Sequence, residues 1–229
     1  MEHAKEQGAP GSRQEAAETD IAPATADIMD VFDGDVQVVP NSFRDYGGVS
    51  RFCGQVETVK CFENNPLVRQ RLTTEDGTGK VLVVDGGGSL RRALMGDQLA
   101  AGAVEMGWRG VIINGAVRDS VAIGKLSFGC KALGTMPRKS EKKVPGEQNV
   151  PVEFAGLQFR PGQFVYADED GIVVSDQALK MPPSGKHGGS GGAGAGARRT
   201  SHDELLPTKE SAWGWTRALP LGAARPTKE

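Results

Sequence analysis

The chain has 229 residues, 38% hydrophobic and 24% charged, with a formal net charge of −2. That balance suits a soluble globular protein with one main core and gives no electrostatic reason to bind nucleic acid. No run approaches the roughly 18 apolar residues of a membrane span, and the opening MEHAKEQGAPGSRQEAAETD lacks the apolar stretch of a secretory signal, which points to the cytosol.

In chain order, residues 1–27 are rich in Ala, Glu and Gly, net acidic and without steady periodicity, and read as a mobile arm in which QEAAETD suits a helical turn. A single domain is expected over residues 28–183, a usual size for one core. SRFCGQVETVKCF alternates as a strand does, and NPLVRQRLTTEDG reads as a short helix closing at Gly77. GKVLVVDGGGS opens with a continuous Val/Leu run, the mark of a strand buried on both faces. GDQLAAGAVEMGWRG carries apolar residues at helical spacing, with Asp97 as the expected N-cap and Gly107 near the stop. GVIINGAVRD is a second buried strand. Strand, glycine turn, helix and strand make a βαβ unit, whose crossover should leave Val81 to Asp85 parallel to Val111 to Asn114.

Beyond it, FGCKALGTMP and VPVEFAGLQFRPGQFVYADEDGIVVSD add short strands between Gly and Pro turns, so the domain is a mixed α/β structure and not purely doubly wound. Residues 184–229 begin with Gly and Ser and read as a flexible tail, although Trp213 and Trp215 would suit a short docking segment.

The chemistry open to the core is narrow. His3, His187 and His202 are the only histidines and all fall in the tails, so Ser-His-Asp, Cys-His and histidine zinc sites lack their parts. Cys53, Cys61 and Cys130 are odd in number, lack CxxC spacing, and read as reduced, mostly buried thiols. Carboxylates, Arg, Lys, hydroxyls, water or an oxygen-liganded metal remain. Gly86-Gly87-Gly88 invites a phosphate-loop reading, but matches neither GxGxxG nor GxxxxGK[ST], and a tight turn explains it more simply. Asp97 needs no function as a helix cap, yet the Gln98 and Leu99 N–H groups beside it could seat a carboxylate or phosphate. An Arg-Asp dipeptide is by default surface charge. Arg118 and Asp119, however, stand just past the carboxyl end of a buried strand, where α/β sites lie. There a carboxylate can hold Mg²⁺ and a guanidinium can clamp an oxygen that gains charge.

TVKCFENN, GKVLVVDGGGSLRRALMGDQLA, GWRGVIINGAVRD, ALGTMP and YADEDGIVVSD together resemble the RraA family, the regulators of ribonuclease E activity and the class II 4-hydroxy-4-methyl-2-oxoglutarate aldolases. The resemblance runs from about Ile28 to Asp176 and implies a swivelling β/β/α domain, usually a ring-shaped homotrimer with active sites between subunits. In the family's aldolases a Gly-Asp is followed by twenty residues and then Arg-Asp. Here Gly96-Asp97 is followed by Gln98 to Val117, twenty residues, and then Arg118-Asp119. By that match Asp119 would ligate Mg²⁺ or Mn²⁺ and Asp97 would reach it through water. Gly96 would belong to the substrate site, Arg118 would bind the ketone oxygen of a small 2-oxo acid, and the Gln98 and Leu99 amides would bind its carboxylate.

Such a site would cleave the substrate through a pyruvate enolate, and the same stabilisation would decarboxylate oxaloacetate. The chain departs from the family at Ala122, where aldolases often carry Glu or Asp. As the alternative to this leading reading, the resemblance implies a non-catalytic regulator that binds a ribonuclease E-type RNA-degrading enzyme. A quinone methyltransferase, a third reading attached to the family, finds no convincing cofactor loop.

Overall fold

The computed structural model describes residues 22–40 and 42–182. The helical turn read in QEAAETD, the three histidines, Trp213 and Trp215 lie outside the described residues. In order the elements are α1 (Thr25–Phe32), β1 (Gln37–Val39), β2 (Arg44–Asp45), β3 (Phe52–Lys60), α2 (Pro66–Thr74), β4 (Lys80–Asp85), β5 (Ala93–Met95) and α3 (Asp97–Glu105). There follow β6 (Gly110–Val117), α4 (Ser120–Ile123), β7 (Gly129–Thr135), β8 (Glu147–Gln148), β9 (Val152–Phe154), β10 (Leu157–Phe159), β11 (Phe164–Ala167) and β12 (Ile172–Ser175). Helix α1 starts inside the segment read as an arm, because Thr25 and Ile28 are buried.

The βαβ unit forms as its pattern requires. β4 pairs parallel with β6, Val81 opposite Gly110 through Asp85 opposite Asn114, and β3 and β7 extend the parallel set on either side. The unbroken Val/Leu run of β4 reflects two packed faces. Leu82 and Val84 meet Val68, Leu72, Ala100 and Ala103 of α2 and α3, while Val81 and Val83 meet Val152, Phe154 and Phe159 of the β9–β10 hairpin. Each such aliphatic side chain stabilises the fold by about 1.5–3 kcal/mol. Ile28 of α1 packs against Tyr166 and Val173 of β11 and β12, giving a third small cluster.

The main path of the sheet runs β1-β12-β11-β3-β4-β6-β7-β2. Laid flat, eight strands would hold the outer two roughly 34 Å apart. Yet β1 and β2 are consecutive in the chain, and from Val39 to Arg44 a fully extended backbone reaches only about 18 Å. The sheet therefore curls until its edges approach one another. Layers of curled sheet, hairpin and helices agree with the β/β/α domain expected from the sequence.

Strand β5 was not legible in advance. Ala93 to Met95 leave the loop after β4 and pair with Ala116 and Val117, taking over the flank of β6 that β4 vacates after Asn114. None of the three cysteines is joined in a disulfide, and Cys61 and Cys130 are buried. Burial, and next the nearby Asp85 carboxylate, push the Cys61 thiol up to about 12. Cys61 therefore stays a neutral thiol. Among the described residues no helix is long and apolar enough to cross a membrane.

Candidate active site

Every candidate residue lies at the carboxyl ends of β4, β5 and β6, and local backbone chemistry decides which are open. The triglycine turn is closed. Gly87 and Gly88 have φ of +66° and +68°, a left-handed region that glycine alone enters without cost. The Gly86 and Gly88 N–H groups donate to the Asn114 carbonyl at 3.0 and 3.1 Å, and the Gly87 N–H donates to Asp85 Oδ1 at 2.9 Å. Asn114 Nδ2 donates to the same Asp85 oxygen at 2.9 Å. A Cβ on Gly86 would stand 2.6 Å from Leu94 Cδ1 and 2.7 Å from the Asn114 carbonyl. What the glycines leave room for is thus the protein itself. No fan of amides remains for a phosphate.

The Arg118-Asp119 loop is open. The Arg118 N–H donates to Met95 O at 3.0 Å, so the residue begins as a continuation of the β5–β6 pairing. Asp119 then turns the chain with φ 55°, a left-handed backbone unusual for a residue other than glycine. Successive residues of a strand face opposite sides, and this turn is what brings the two side chains together. Arg118 Nε and Asp119 Oδ2 are 3.2 Å apart, with side chains 38% and 40% exposed. Asp119 also accepts at its carbonyl the Ala122 and Ile123 N–H groups, which start α4.

Gly96 gives the loop its geometry. A Cβ there would lie 2.6 Å from Asp119 Oδ2, 3.0 Å from Arg118 Nε and 3.1 Å from Arg118 Cγ. Carboxylate and guanidinium therefore rest on the backbone that opens α3. The structure corrects one expectation at this point. Gly96, not Asp97, is the N-cap of α3, and Asp97 is its first helical residue without a side-chain cap bond. Asp97 Oδ1 accepts instead from the next N–H, that of Gln98, at 2.8 Å. The intrahelical ladder begins with Ala100 N–H to Gly96 O, so the Gln98 and Leu99 N–H groups have no acceptor within the helix. The carboxylate of Asp97 occupies the seat foreseen for a ligand anion and must turn away before another carboxylate binds.

A ring of polar contacts steadies the neighbouring loops. Glu63 accepts from Ser89 Oγ at 2.7 Å and from Arg91 Nε at 2.6 Å, and these two bonds, the Ser89 hydroxyl first, hold its carboxyl below the usual range. Arg92 reaches Glu141 at 2.9 Å and the Lys139 carbonyl at 3.1 Å. Asn114, Glu63 and Arg92 escaped the sequence reading, because their partners lie on other loops. The only advance signal was a polar residue opposite Asp85 in a strand otherwise apolar.

The donor set fits a hard divalent cation. Two carboxylates flank Gly96, oxygen donors without a competing imidazole or thiolate, and Mg²⁺ commonly binds through one or two carboxylates while keeping several waters. Among the described residues no three His, Cys, Asp or Glu gather as a complete cage. The remaining positions would go to water and substrate.

A family model for RraA-like proteins, described as Aldolase/RraA, matches residues 25–174. A protein of Azotobacter vinelandii named "Putative 4-hydroxy-4-methyl-2-oxoglutarate aldolase" is 51% identical over 158 residues, 69% of this chain and 97% of that protein. Among solved structures, one described as an S-adenosylmethionine: 2-dimethylmenaquinone methyltransferase of Geobacillus kaustophilus aligns with TM-score 0.67 and 48% identity, covering 69% of this chain and 97% of its own. The RNA-processing inhibitor RraA of Thermus thermophilis aligns with TM-score 0.65 and 44% identity, covering 72% and 97%.

Proposed function

The chain belongs to the RraA-like family, and from that premise we propose that it is a Mg²⁺- or Mn²⁺-dependent lyase of small 2-oxo acids. The reaction is the retro-aldol cleavage of 4-hydroxy-4-methyl-2-oxoglutarate or a relative, with decarboxylation of oxaloacetate through the same pyruvate enolate. The observation that carries the reading is the convergence of Arg118 Nε and Asp119 Oδ2 on Gly96 at the head of α3. Asp119 would hold the cation directly and Asp97 through water. When bound, the cation supplies positive charge beside the 2-oxo group.

The chain's own residues do the rest. The Gln98 and Leu99 N–H groups fix the substrate carboxylate at the helix head. The Arg118 guanidinium, held by Asp119, points its remaining donors at the ketone oxygen and stabilises the charge that develops there when the neighbouring carbon–carbon bond breaks. Asp97, displaced from the Gln98 N–H by the incoming carboxylate, is left beside the reacting atoms, where it can hold a proton donor or acceptor in place.

The test is release of pyruvate by the full chain from 4-hydroxy-4-methyl-2-oxoglutarate and from oxaloacetate, with Mg²⁺, with Mn²⁺, and with EDTA. Pyruvate that depends on the metal is expected. Its absence on both substrates rejects the lyase. We place the active chain in a homotrimer that completes the site between subunits, a reading consistent with Val121, 77% exposed two residues after Asp119; light scattering checks the assembly.

The Thermus relative favours a second reading, a regulator that binds a ribonuclease E-type enzyme. Slowing of such a ribonuclease by the purified chain would support it, and both activities can coexist. The methyltransferase description of the Geobacillus relative is tested by titrating the chain with S-adenosylmethionine; the amides of the triglycine turn, bonded within the protein, give that reading no support.

A further inference from the structure

The segment that follows β7 arches over the end of β6. It leaves one flank of β6 with the Met136 N–H donating to Val117 O at 2.8 Å. It arrives on the other flank beside β5, where the Ala93 N–H donates to Arg138 O at 2.8 Å and the Ser140 N–H donates to Ala93 O at 3.1 Å. Arg92 fastens it further, its guanidinium donating to Lys139 O at 3.1 Å, and Ser140 is buried. The backbone of the arch is therefore held at both ends. Lys139 pairs with Ala93, and Ala93 pairs with Ala116, two residues before Arg118. Two strand spacings, about 10 Å, thus separate Lys139 from the strand that delivers Arg118.

The side chains of the arch are free where its backbone is not. Arg138 and Lys139 are exposed, and among the described residues the side chains of Arg138, Lys139 and Lys142 have no hydrogen-bonded or ionic partner. The acids of the neighbouring loops are already engaged. Glu141 is bonded to Arg92 and Lys143, and Glu63 to Ser89 and Arg91. Lys139 is thus a cation on a fixed backbone, left without a carboxylate at the rim of a site read as one for anionic substrates. A backbone ordered before the ligand arrives spares part of the entropy cost of binding, and an ammonium–carboxylate hydrogen bond is stronger than a neutral one.

Resting on the lyase reading, we propose that Lys139 selects dicarboxylic 2-oxo acids by taking the distal carboxylate of the substrate. With one carboxylate on the Gln98 and Leu99 amides and the ketone oxygen at Arg118, the far end of the molecule reaches the rim on which Lys139 stands. Arg138 adds positive charge on the same arch. In the retro-aldol cleavage the distal carboxylate departs with the second fragment and gains no charge, whereas the ketone oxygen does. Lys139 therefore acts on binding and Arg118 on the rate.

The experiment measures, by calorimetry on the full chain with Mg²⁺, the binding of 2-oxoglutarate and of 2-oxopentanoate, which carries a methyl group in place of the distal carboxylate. The parent should bind 2-oxoglutarate about tenfold more tightly or better. Lys139→Gln should abolish that preference and leave 2-oxopentanoate within about twofold, while Lys139→Arg, which keeps the charge, should retain most of it. Lys180→Gln is the control for overall charge and should change neither affinity. Lys180 follows Leu179, whose N–H donates to the Tyr166 hydroxyl at 2.7 Å, and Tyr166 pairs with Cys53 at the start of β3, the opposite end of the parallel strands. The exposed Lys139 side chain holds no bond, so all variants should melt with the parent. Equal affinity of the parent for the two acids, a loss in Lys139→Gln shared by both, or the same loss in Lys180→Gln overturns the proposal. Pyruvate release measured alongside separates it from the lyase reading. Metal-dependent pyruvate without a preference that depends on Lys139 sinks this inference alone. The preference without pyruvate keeps the dicarboxylate site and rejects the lyase, and absence of both rejects both.

Discussion

Two loops leave the carboxyl ends of adjacent parallel strands, one after β4 and one after β6, and both look functional as text: a run of three glycines, and an arginine beside an aspartate. They differ in where their polar groups go. After β4, the amides of Gly86, Gly87 and Gly88 all find acceptors on Asn114 and Asp85, and Asp85 is 8% exposed. After β6, Arg118 and Asp119 bond chiefly to each other and remain more than a third exposed. Glycine content thus marks a close approach of chain to chain in the first loop. The second loop leaves an arginine and an aspartate facing solvent, and it is there that the proposed site lies.

Substitution should divide the loops by which property fails. Arg118→Ala is expected to leave the melting temperature unaltered and to cost kcat about a hundred- to a thousandfold, roughly 3–4 kcal/mol by analogy with the loss of one oxyanion donor. Extra metal should not restore it. Asp119→Ala should instead lower metal affinity, so that raising Mg²⁺ or Mn²⁺ recovers part of the rate. Steady-state kinetics across a metal titration tells the two apart. If both variants keep full metal-dependent activity, or both unfold, the pair is structural and the open loop is not a site.

Asp85→Ala attacks the closed loop. It removes the acceptor of the Gly87 N–H and of Asn114 Nδ2, leaving both donors unpaired at the edge of the core. About 2–3 kcal/mol of stability should go, a fall of roughly 4–10 °C in melting temperature. The activity that remains below the melting transition should change far less than in Arg118→Ala. A variant as stable as the parent would show that the turn does not depend on this carboxylate.

How much of this could be read from the text follows from how local each feature is. The runs of β4 and β6 and the helical spacing of α3 are properties of contiguous residues, and their parallel pairing follows from the handed crossover between them. Arg118 and Asp119 could be placed because a strand's carboxyl end is itself a local feature. The convergence on Gly96 could not be derived from pattern alone. It depends on β5, three residues hidden in a loop, pairing with Val117 so that Met95 and Arg118 become neighbours. The family spacing pointed to those residues without showing that Gly96 must lack a Cβ. Asp97 misled as a cap because cap preference is statistical: the helix begins one residue earlier than that preference suggests, with Gly96 in the cap position, where the Arg118 and Asp119 side chains leave no room for a Cβ.

A second closed contact offers a smaller effect with a pH signature. Asp168, 2% exposed, accepts from the Thr25 N–H and hydroxyl, both at 2.6 Å, across 143 residues of sequence. Ala24, the residue in the cap position of α1, makes no side-chain cap bond, so Asp168 serves that helix from outside it. Burial acts to raise its carboxyl, but the bonds from Thr25, Asp170 and Gly171 outweigh it and hold the group below the usual range. The unfolded chain therefore binds the proton more readily, and the contribution is present above about pH 4 and fades as pH falls further. Asp168→Asn should lose about 1–2 kcal/mol at neutral pH and show a flatter loss of stability under acid than the parent. Denaturant melts at pH 7 and pH 3 check both. Parallel pH curves would refute the assignment.

The smallest expected effect sharpens the open loop by adding to it. Ala122 stands where family aldolases often carry an acid, and it is exposed on α4, its N–H donating to Asp119 O at 2.9 Å. A carboxylate there would share the short helix that Asp119 begins and could support the metal or the water around it, as outer partners of metal ligands commonly do. Ala122→Glu should leave stability within about 0.5 kcal/mol, because the position is on the surface. The metal concentration at half-maximal rate should fall by several-fold and at most about tenfold, with kcat nearly unchanged. That split matters, since Arg118 and not the added acid is assigned the developing charge. Should kcat rise as strongly as metal affinity, the acid acts on the substrate and the division of labour between Arg118 and the metal is misdrawn. Should neither change, the departure at Ala122 is neutral, and the two carboxylates beside Gly96 suffice for the cation without it.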